Sequence, residues 1–273
     1  MKNLKDIKKP LVLISNDDGI TSEAMQVLVE ESEPFADVWV VAPDGERSAQ
    51  SMSLTVNTYI KSKKLSEQRF CISGTPVDCV TLGLSQILPR KPDLVLSGIN
   101  WGANMGRDTL FSGTLGIAST AALQGIPACG FSCEIIDPIN ESDRWHKSSY
   151  NLSACRKVIS TLWKKRIFDF IPKGSALNVN IPSMDDSKLK GIKTTELGSS
   201  GYDHEMFQSQ DPRGRKMYWY SGNRLANPDD QMKYDHSVVS AGFASLTLIT
   251  PSLFHPANHS EFAQTIHAEG IEQ

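Results

Sequence analysis

A chain of 273 residues, 40% of them hydrophobic, is long enough to bury a sizeable core and to form one large domain with an appendage. The formal net charge of -3 and the pI of about 6.1 do not favour a nucleic-acid duplex or an anionic membrane as the main partner. No stretch approaches the ~20 apolar residues of a membrane span, and an odd number of cysteines without a secretion signal predicts a reduced, cytoplasmic protein.

The first predicted strand is the apolar run PLVLIS, which begins at Pro10 and stops at the sequence NDDG. The run is too short for the core of a signal peptide, so we interpret the lysine-bearing tail before it as solvated. The segment TSEAMQVLVEES is predicted to be the first helix, with these residues at helical spacing: Ala24, Val27, Leu28 and Glu31.

Strands and helices continue to alternate after this helix. Buried strands are predicted in ADVWVVAPD, FCIS, KPDLVLSGIN, PACGFSC and ALNVNIP, and helices are predicted after the Gly-Thr-Pro turn and in SGTLGIASTAALQG. Strands that alternate with helices form a parallel sheet covered on both faces, so the sequence predicts an α/β fold. In such sheets, ligands bind beyond the carboxyl ends of the strands.

The region 198–236 is polar, aromatic and rich in turn residues, unlike the chain before it. The sequence DPRGRK predicts a hairpin tip with a strand on either side. A flexible surface loop is the alternative, but an exposed run of large side chains is costly and such aromatics are enriched at interfaces. That run is Met217, Tyr218, Trp219 and Tyr220. The last residues, 259–273, are predicted to form a short amphipathic helix.

Polar clusters follow four of the predicted strands and open one helix. They are NDD at 16–18, APDGERSAQS at 42–51, SGTP at 73–76, SGINWGANMG at 97–106, and FSGT at 111–114. Carboxylate, hydroxyl and amide oxygens suit Mg²⁺, Mn²⁺ or Ca²⁺, and a helix start offers hydroxyls and N–H groups to an anion. The convergence of these clusters at one sheet edge favours phosphate chemistry with a bound cation.

Each cluster also has an ordinary structural interpretation. Asn-Asp-Asp-Gly is good turn sequence, and Asn100 tolerates the backbone of a turn. Ser48 is a plausible loop hydroxyl, Ser112 a plausible N-cap and Thr114 a plausible first-turn residue. The order and setting of the whole set, rather than any one residue, favour a site.

The motifs NDDGI, VAPDGERSA, GTPVDCV, SGINWGANMG and SGT follow one another as they do in the SurE family, the stationary-phase survival 5'-nucleotidases. The resemblance continues in LNVNIP, DPRGRKMYWY and GFASLTLITP, so it spans nearly the whole chain. It implies a metal-dependent phosphatase acting on nucleoside 5'-monophosphates, and for some members on 3'-nucleotides or short polyphosphate. It also implies a Rossmann-like core, here 1–197, a β-hairpin oligomerisation arm at 198–236, and a C-terminal strand and helix at 237–273. This strand and helix would either complete the core or dock on a partner subunit. Family members exchange C-terminal elements in dimers or tetramers, so the resemblance implies a homodimer or homotetramer.

The resemblance also carries site residues onto this sequence. The implied ligands of the divalent cation, Mg²⁺ or Mn²⁺, are Asp17, Asp18, Ser48 and Asn100. The implied phosphate site comprises Ser112, Gly113 and Thr114. We assign Asp17 the further role of orienting or deprotonating the attacking water, and Asp18 mainly that of a ligand. Trp101 fills a variable position, which leaves the base preference open.

Other classes of protein fit the sequence less well. A receiver module needs a phospho-accepting acid where Ser97 and Gly98 stand, and a haloacid-dehalogenase-type phosphatase needs Asp-x-Asp rather than adjacent acids. No P-loop and no Gly-x-Ser-x-Gly motif occurs.

Cys129 and Cys133 lack a second pair for zinc and are interpreted as core thiols. His255 and His259 have a spacing that could place both on one face of a helix. Pro256 lies between them and argues against a regular helix, so no zinc site is predicted there.

Overall fold

The computed structural model describes residues 7–135, 147–201, 205–220 and 231–252, together with Ser260. The strands are β1 Leu11–Ser15, β2 Asp37–Pro43, β3 Ser62–Ser66, β4 Arg69–Ile72, β5 Leu94–Trp101, β6 Ala128–Glu134, β7 Ala176–Pro182, β8 Ile192–Thr195, β9 Met206–Gln210, β10 Lys216–Tyr220 and β11 Ala244–Ile249. The α-helices are α1 Glu23–Ser32, α2 Pro76–Leu82, α3 Gly113–Leu123, α4 Ser153–Lys164 and α5 Asp235–Ser240. No helix in these ranges is long and apolar enough to cross a membrane.

Nine strands form the main sheet, in the order β3-β4-β2-β1-β5-β6-β7-β11-β8. The six strands from β4 to β7 in this order are parallel to one another. Only β3 against β4 and β11 against β7 are antiparallel, while β8 is parallel to β11. The predicted mostly parallel sheet is confirmed, and the turns that follow β1, β2, β4 and β5 lie at its carboxyl edge.

Alternating side chains of the central strands pack into two separate hydrophobic cores, one on each face of the sheet. In β1, Leu13 packs with residues of α2 and α3 on one face, while Ile14 packs with residues of α1 and α4 on the other. Two cores form because successive side chains of a strand point to opposite sides of the sheet. The sheet that positions the site is therefore covered by helices on both faces, as predicted.

Several elements go beyond those predicted from the sequence. The amphipathic helix α4 buries Val158 and Leu162 against the sheet, and β3 and β8 add an edge strand at each end. Strand β11 lies between β7 and β8 in the sheet of the same chain. The helix predicted for 259–273 lies outside the described residues, except for Ser260.

Strands β9 and β10 form a separate two-stranded hairpin. Asp211 closes its tip by accepting hydrogen bonds from the backbone N–H groups of Arg213 and Arg215. The side chains of Phe207, Tyr218, Trp219 and Tyr220 are more than half exposed. The strands on either side of DPRGRK are therefore present, and they display apolar surface outside the main core.

Candidate active site

The NDDG turn closes directly after β1. The Asn16 amide donates to the Gly19 carbonyl and accepts from the Gly19 N–H, at 3.0 and 3.2 Å. Gly19 has φ of +103°, and a Cβ there would lie 3.1 Å from the Gly45 carbonyl carbon. The turn thus needs glycine for both conformation and space. The Arg47 N–H donates to the Asp17 carbonyl at 2.7 Å, which joins the loop after β2 to this turn.

The Asp17 carboxylate is buried against the start of α3. The Thr114 hydroxyl donates to Asp17 Oδ1 at 2.6 Å, and the Thr114 backbone N–H also bonds to this carboxylate. A Cβ at Gly113 would lie only 2.7 Å from Asp17 Oδ2. The absence of a side chain at Gly113 is therefore what lets the carboxylate reach the helix start.

Asn100 lies on the other side of Thr114. Its Oδ1 is 3.5 Å from the Thr114 hydroxyl oxygen, and its Nδ2 donates to the Gly102 carbonyl at 2.8 Å. The amide nitrogen is thus directed to the loop and the amide oxygen to the side where Asp17 lies. The structure brings together three predicted site residues, Asp17, Asn100 and Thr114.

The Asp18 side chain is only 6% exposed. Its Oδ1 lies 3.5 Å from Lys147 Nζ, while its Oδ2 is buried and has no hydrogen-bond partner among the described residues. A buried carboxylate oxygen without a donor is costly. Such an atom fits a cation better than it fits a structural turn.

Both carboxyl groups have raised pKa values. Burial raises the pKa of Asp17, against the lowering effect of the Thr114 hydrogen bonds. Burial and the neighbouring Asp17 charge raise the pKa of Asp18 to about 7, although Lys147 opposes this shift. Two adjacent acids that are both costly to ionise form a site in which a divalent cation would relieve the cost.

Ser48 is placed less directly than the other predicted ligands. Its exposed hydroxyl donates to Glu46 at 3.2 Å, and Lys147 Nζ lies 3.6 Å from the same carboxylate and 3.5 Å from Asp18. Ser48 therefore connects to the acid pair through Glu46 and Lys147. Within the described ranges no group of three or more His, Cys, Asp or Glu side chains converges, so oxygen ligands from Asn100 and Ser48 would have to complete a metal site.

The predicted phosphate residues lie at the N-terminus of α3. Ser112 is the N-cap, and its hydroxyl oxygen accepts from the Leu115 N–H at 3.0 Å, which leaves the hydroxyl proton for another acceptor. The Thr114 hydroxyl is fully buried and already donates to Asp17. In this structure the helix start thus holds Asp17, and Ser112 is the hydroxyl of the set that keeps a proton to donate.

Several residues around the site were not predicted from the sequence. Nothing in the sequence distinguishes Lys147 from a solvated lysine. Asn178 and Asn180 were detectable, because two asparagines at alternate positions of the apolar segment ALNVNIP share one buried face. Where a receiver would carry its phospho-acceptor, Ser97 is buried and donates to the Thr114 carbonyl at 2.7 Å.

Comparisons with known proteins agree with these motifs. A family model described as "Survival protein SurE" matches residues 12–204. The curated "5'-nucleotidase SurE" of Christiangramia forsetii is 35% identical over 245 residues, covering 88% of this chain and 90% of that protein. Its counterpart in Actinobacillus succinogenes is 38% identical over 250 residues, covering 91% and 95%. The crystal structure of a SurE protein from Aquifex aeolicus superposes with a TM-score of 0.77 at 34% identity, covering 95% of this chain and all of that one.

Proposed function

This chain belongs to the SurE family, and on that premise we propose that it hydrolyses nucleoside 5'-monophosphates to nucleoside and phosphate with a divalent cation. The observation that carries the proposal is the buried pair Asp17 and Asp18 beside the start of α3, with one Asp18 oxygen unpartnered among the described residues. The names of the curated relatives support the reaction.

The residues present fit a hard cation. Asp17, Asp18 and the Asn100 amide oxygen would hold it, and Ser48 would join them once its hydroxyl turns from Glu46. When bound, the cation would supply positive charge that polarises the phosphoryl group and lowers the pKa of water. We propose Mg²⁺ or Mn²⁺ because all four ligand atoms are oxygens.

The roles of the chain's own residues follow from their contacts. Asp17 orients the attacking water and accepts its proton, and Thr114 fixes the Asp17 carboxylate with its hydroxyl and backbone N–H. Ser112 and the backbone of Gly113 bind phosphate oxygens at the helix start. Thr114 contributes to phosphate binding mainly by keeping this helix start in place.

The proposal extends to other substrates, to assembly and to the cellular compartment. Phosphate esters of the 3' position and short polyphosphate require the same phosphoryl chemistry, so we propose them as secondary substrates. A homodimer or homotetramer in which the hairpin of β9 and β10 packs against a neighbouring subunit would cover the exposed aromatic side chains of β10. All five cysteines are free and four are buried, which supports a reducing cytoplasm.

Hydrolysis of AMP, with and without EDTA, tests the reaction. We expect EDTA to abolish phosphate release and Mg²⁺ or Mn²⁺ to restore it. Asp17→Asn and Asp18→Asn should each lower kcat/KM by ~100-fold or more, because each removes a ligand charge. Asp93→Asn is the matched control, since Asp93 precedes β5 at the opposite edge of the sheet. Full activity in excess EDTA, or in both site variants, would contradict the proposal.

A further inference from the structure

The loop that connects Asn100 to the start of α3 is held by buried polar side chains that face its backbone. This anchored loop, residues 102–106, follows Asn100 and leads through a 3₁₀ turn, Gly106–Leu110, to Ser112. The side chains that hold it come from β6, β7 and α5. They are Ser132, Glu134, Asn178, Asn180 and Asp235, and each is at most 4% exposed.

The two asparagines of β7 bind the middle of the anchored loop. Asn180 Oδ1 accepts from the Asn104 N–H at 2.8 Å. Asn178 Nδ2 and Asn180 Nδ2 both donate to the Asn104 carbonyl, at 2.8 and 3.1 Å. The Asn104 side chain in turn donates to Ser132 at 2.8 Å. The peptide groups on both sides of one loop residue are thus satisfied by a single strand.

The ends of the anchored loop are held by acids. Glu134 accepts from the Ala103 N–H at 2.9 Å, and Asp235 accepts from the Gly106 N–H at 2.9 Å. The second oxygen of Asp235 accepts from the Gly198 N–H at 3.0 Å. Asp235 is fully buried, and Oδ1 also accepts from the His236 N–H at 2.9 Å. These three backbone donors compensate for the burial of its carboxylate.

Burying this many polar groups is costly unless every one is paired, and here the pairing partner is largely one loop. Gly106 is also closely packed, because a Cβ there would lie 2.5 Å from the Ser200 carbonyl oxygen. The anchored loop is hydrogen-bonded to three elements, β6, β7 and α5. We therefore expect it to restrict the positions of Asn100 before it and Ser112 after it. Displacements of ~1 Å in such positions are enough to lower catalytic rates strongly.

We infer that Asp235 and Asn180 are positioning residues for the nucleotidase site: they act through the anchored loop to fix Asn100 and the start of α3 relative to Asp17. This inference rests on the proposed function for its catalytic consequence. The anchoring itself is independent of that function. Asp235 lies more than 100 residues along the chain from the loop it holds, so the C-terminal part of the chain takes part in forming the site.

The test uses Asp235→Asn and Asn180→Ala in the full chain, with Asp93→Asn as the control. Asp93 also accepts a backbone N–H, from Leu11 at 2.8 Å, but at the opposite edge of the sheet. Hydrogen exchange of peptides covering 102–108, Mn²⁺ affinity by calorimetry, and kcat and KM for AMP are measured on each. We expect exchange in 102–108 to quicken ~10-fold or more, Mn²⁺ affinity and kcat to fall ~10–100-fold, and the control to resemble the wild type.

Unchanged exchange in 102–108 would overturn the inference, as would catalytic losses equal to those of Asp93→Asn. If Asp235→Asn fails to fold, Asn178→Ala, which removes one donor to Asn104, gives the same comparison. If the wild type hydrolyses no AMP, the proposed function fails, and exchange and Mn²⁺ affinity alone decide the anchoring.

Discussion

Thr114 lies between Asp17 and Asn100 and contacts both side chains. Its hydroxyl lies 2.6 Å from Asp17 Oδ1 and 3.5 Å from Asn100 Oδ1, and its carbonyl accepts from Ser97 in β5. One threonine therefore connects β1, β5 and the start of α3. From the sequence, Thr114 is predicted to bind phosphate, and that role stays a prediction. Its contact with Asp17 could not be predicted, because a buried donor to a carboxylate is not distinguishable from a phosphate ligand in the sequence alone.

Replacing Thr114 by valine should therefore affect Asp17 more than phosphate. Valine keeps the shape but removes the hydroxyl whose hydrogen bond lowers the pKa of Asp17. We expect kcat to fall ~10-fold or more and the acidic limb of the kcat profile to move to higher pH, because Asp17 becomes harder to ionise. Thr114→Ser, which retains the hydroxyl, should restore most of the activity. A raised KM for AMP with an unmoved pH profile would instead favour direct phosphate binding.

At the level of elements, the hairpin of β9 and β10 lies outside the main sheet and buries little of its surface against the core. A lone two-stranded hairpin is marginal in water, and this one exposes several aromatic side chains. Its existence was predictable, because DPRGR is strong turn sequence between β-prone runs. Its partner was not, since the sequence of one chain does not show which surface covers these side chains.

Serine at positions 218–220 should lower the oligomeric state and leave the core folded. The exposed fractions of Tyr218, Trp219 and Tyr220 are 56%, 60% and 67%. Their replacement should therefore change the free energy of unfolding little and weaken a subunit interface strongly. Light scattering coupled to gel filtration measures the mass, and circular dichroism checks the fold. Tyr59→Ser is the control, because Tyr59 is 93% exposed outside the hairpin. A monomeric wild type, or a triple variant of unchanged mass, would contradict the proposed arm.

For the whole molecule, hydrophobic patterning predicted most of the sheet but not its margins. Strands β1, β2, β5, β6 and β7 read as apolar runs because both of their faces are covered by helices. β3 is SKKLS, with all five residues exposed, and so carries no such pattern. The polar turns at the carboxyl edge were predictable as a set. The buried contacts of Asp235 and the partly exposed contacts of Lys147 with that edge were not, because they depend on how distant segments pack.

The acid pair should also make the stability of the metal-free molecule depend on pH. The pKa of Asp18 rises from 3.8 to about 7 on folding, so its contribution to stability is fully present below about pH 4 and is lost as pH rises through 7. In EDTA we therefore expect Tm to be lower at pH ~8 than at pH ~5.5, by ~5 °C. Mn²⁺ should raise Tm more at the higher pH.

Asp18→Asn separates this effect from other titrations, because asparagine carries no charge at either pH. The variant should lose most of the difference in Tm between the two pH values. An equal pH dependence in the variant and the wild type would show that other groups cause it.

The position of β11 in the sheet has a consequence for biosynthesis. β8 ends at Thr195, and among the described strands it pairs with β11 alone, which begins at Ala244. At a synthesis rate of ~5–20 residues per second, β8 emerges from the ribosome several seconds before its neighbour exists. During that interval the edge of β7 is open to pairing with other nascent chains. Chaperone capture of ribosome-bound chains that end before Ala244 is therefore expected to exceed capture of chains that include β11.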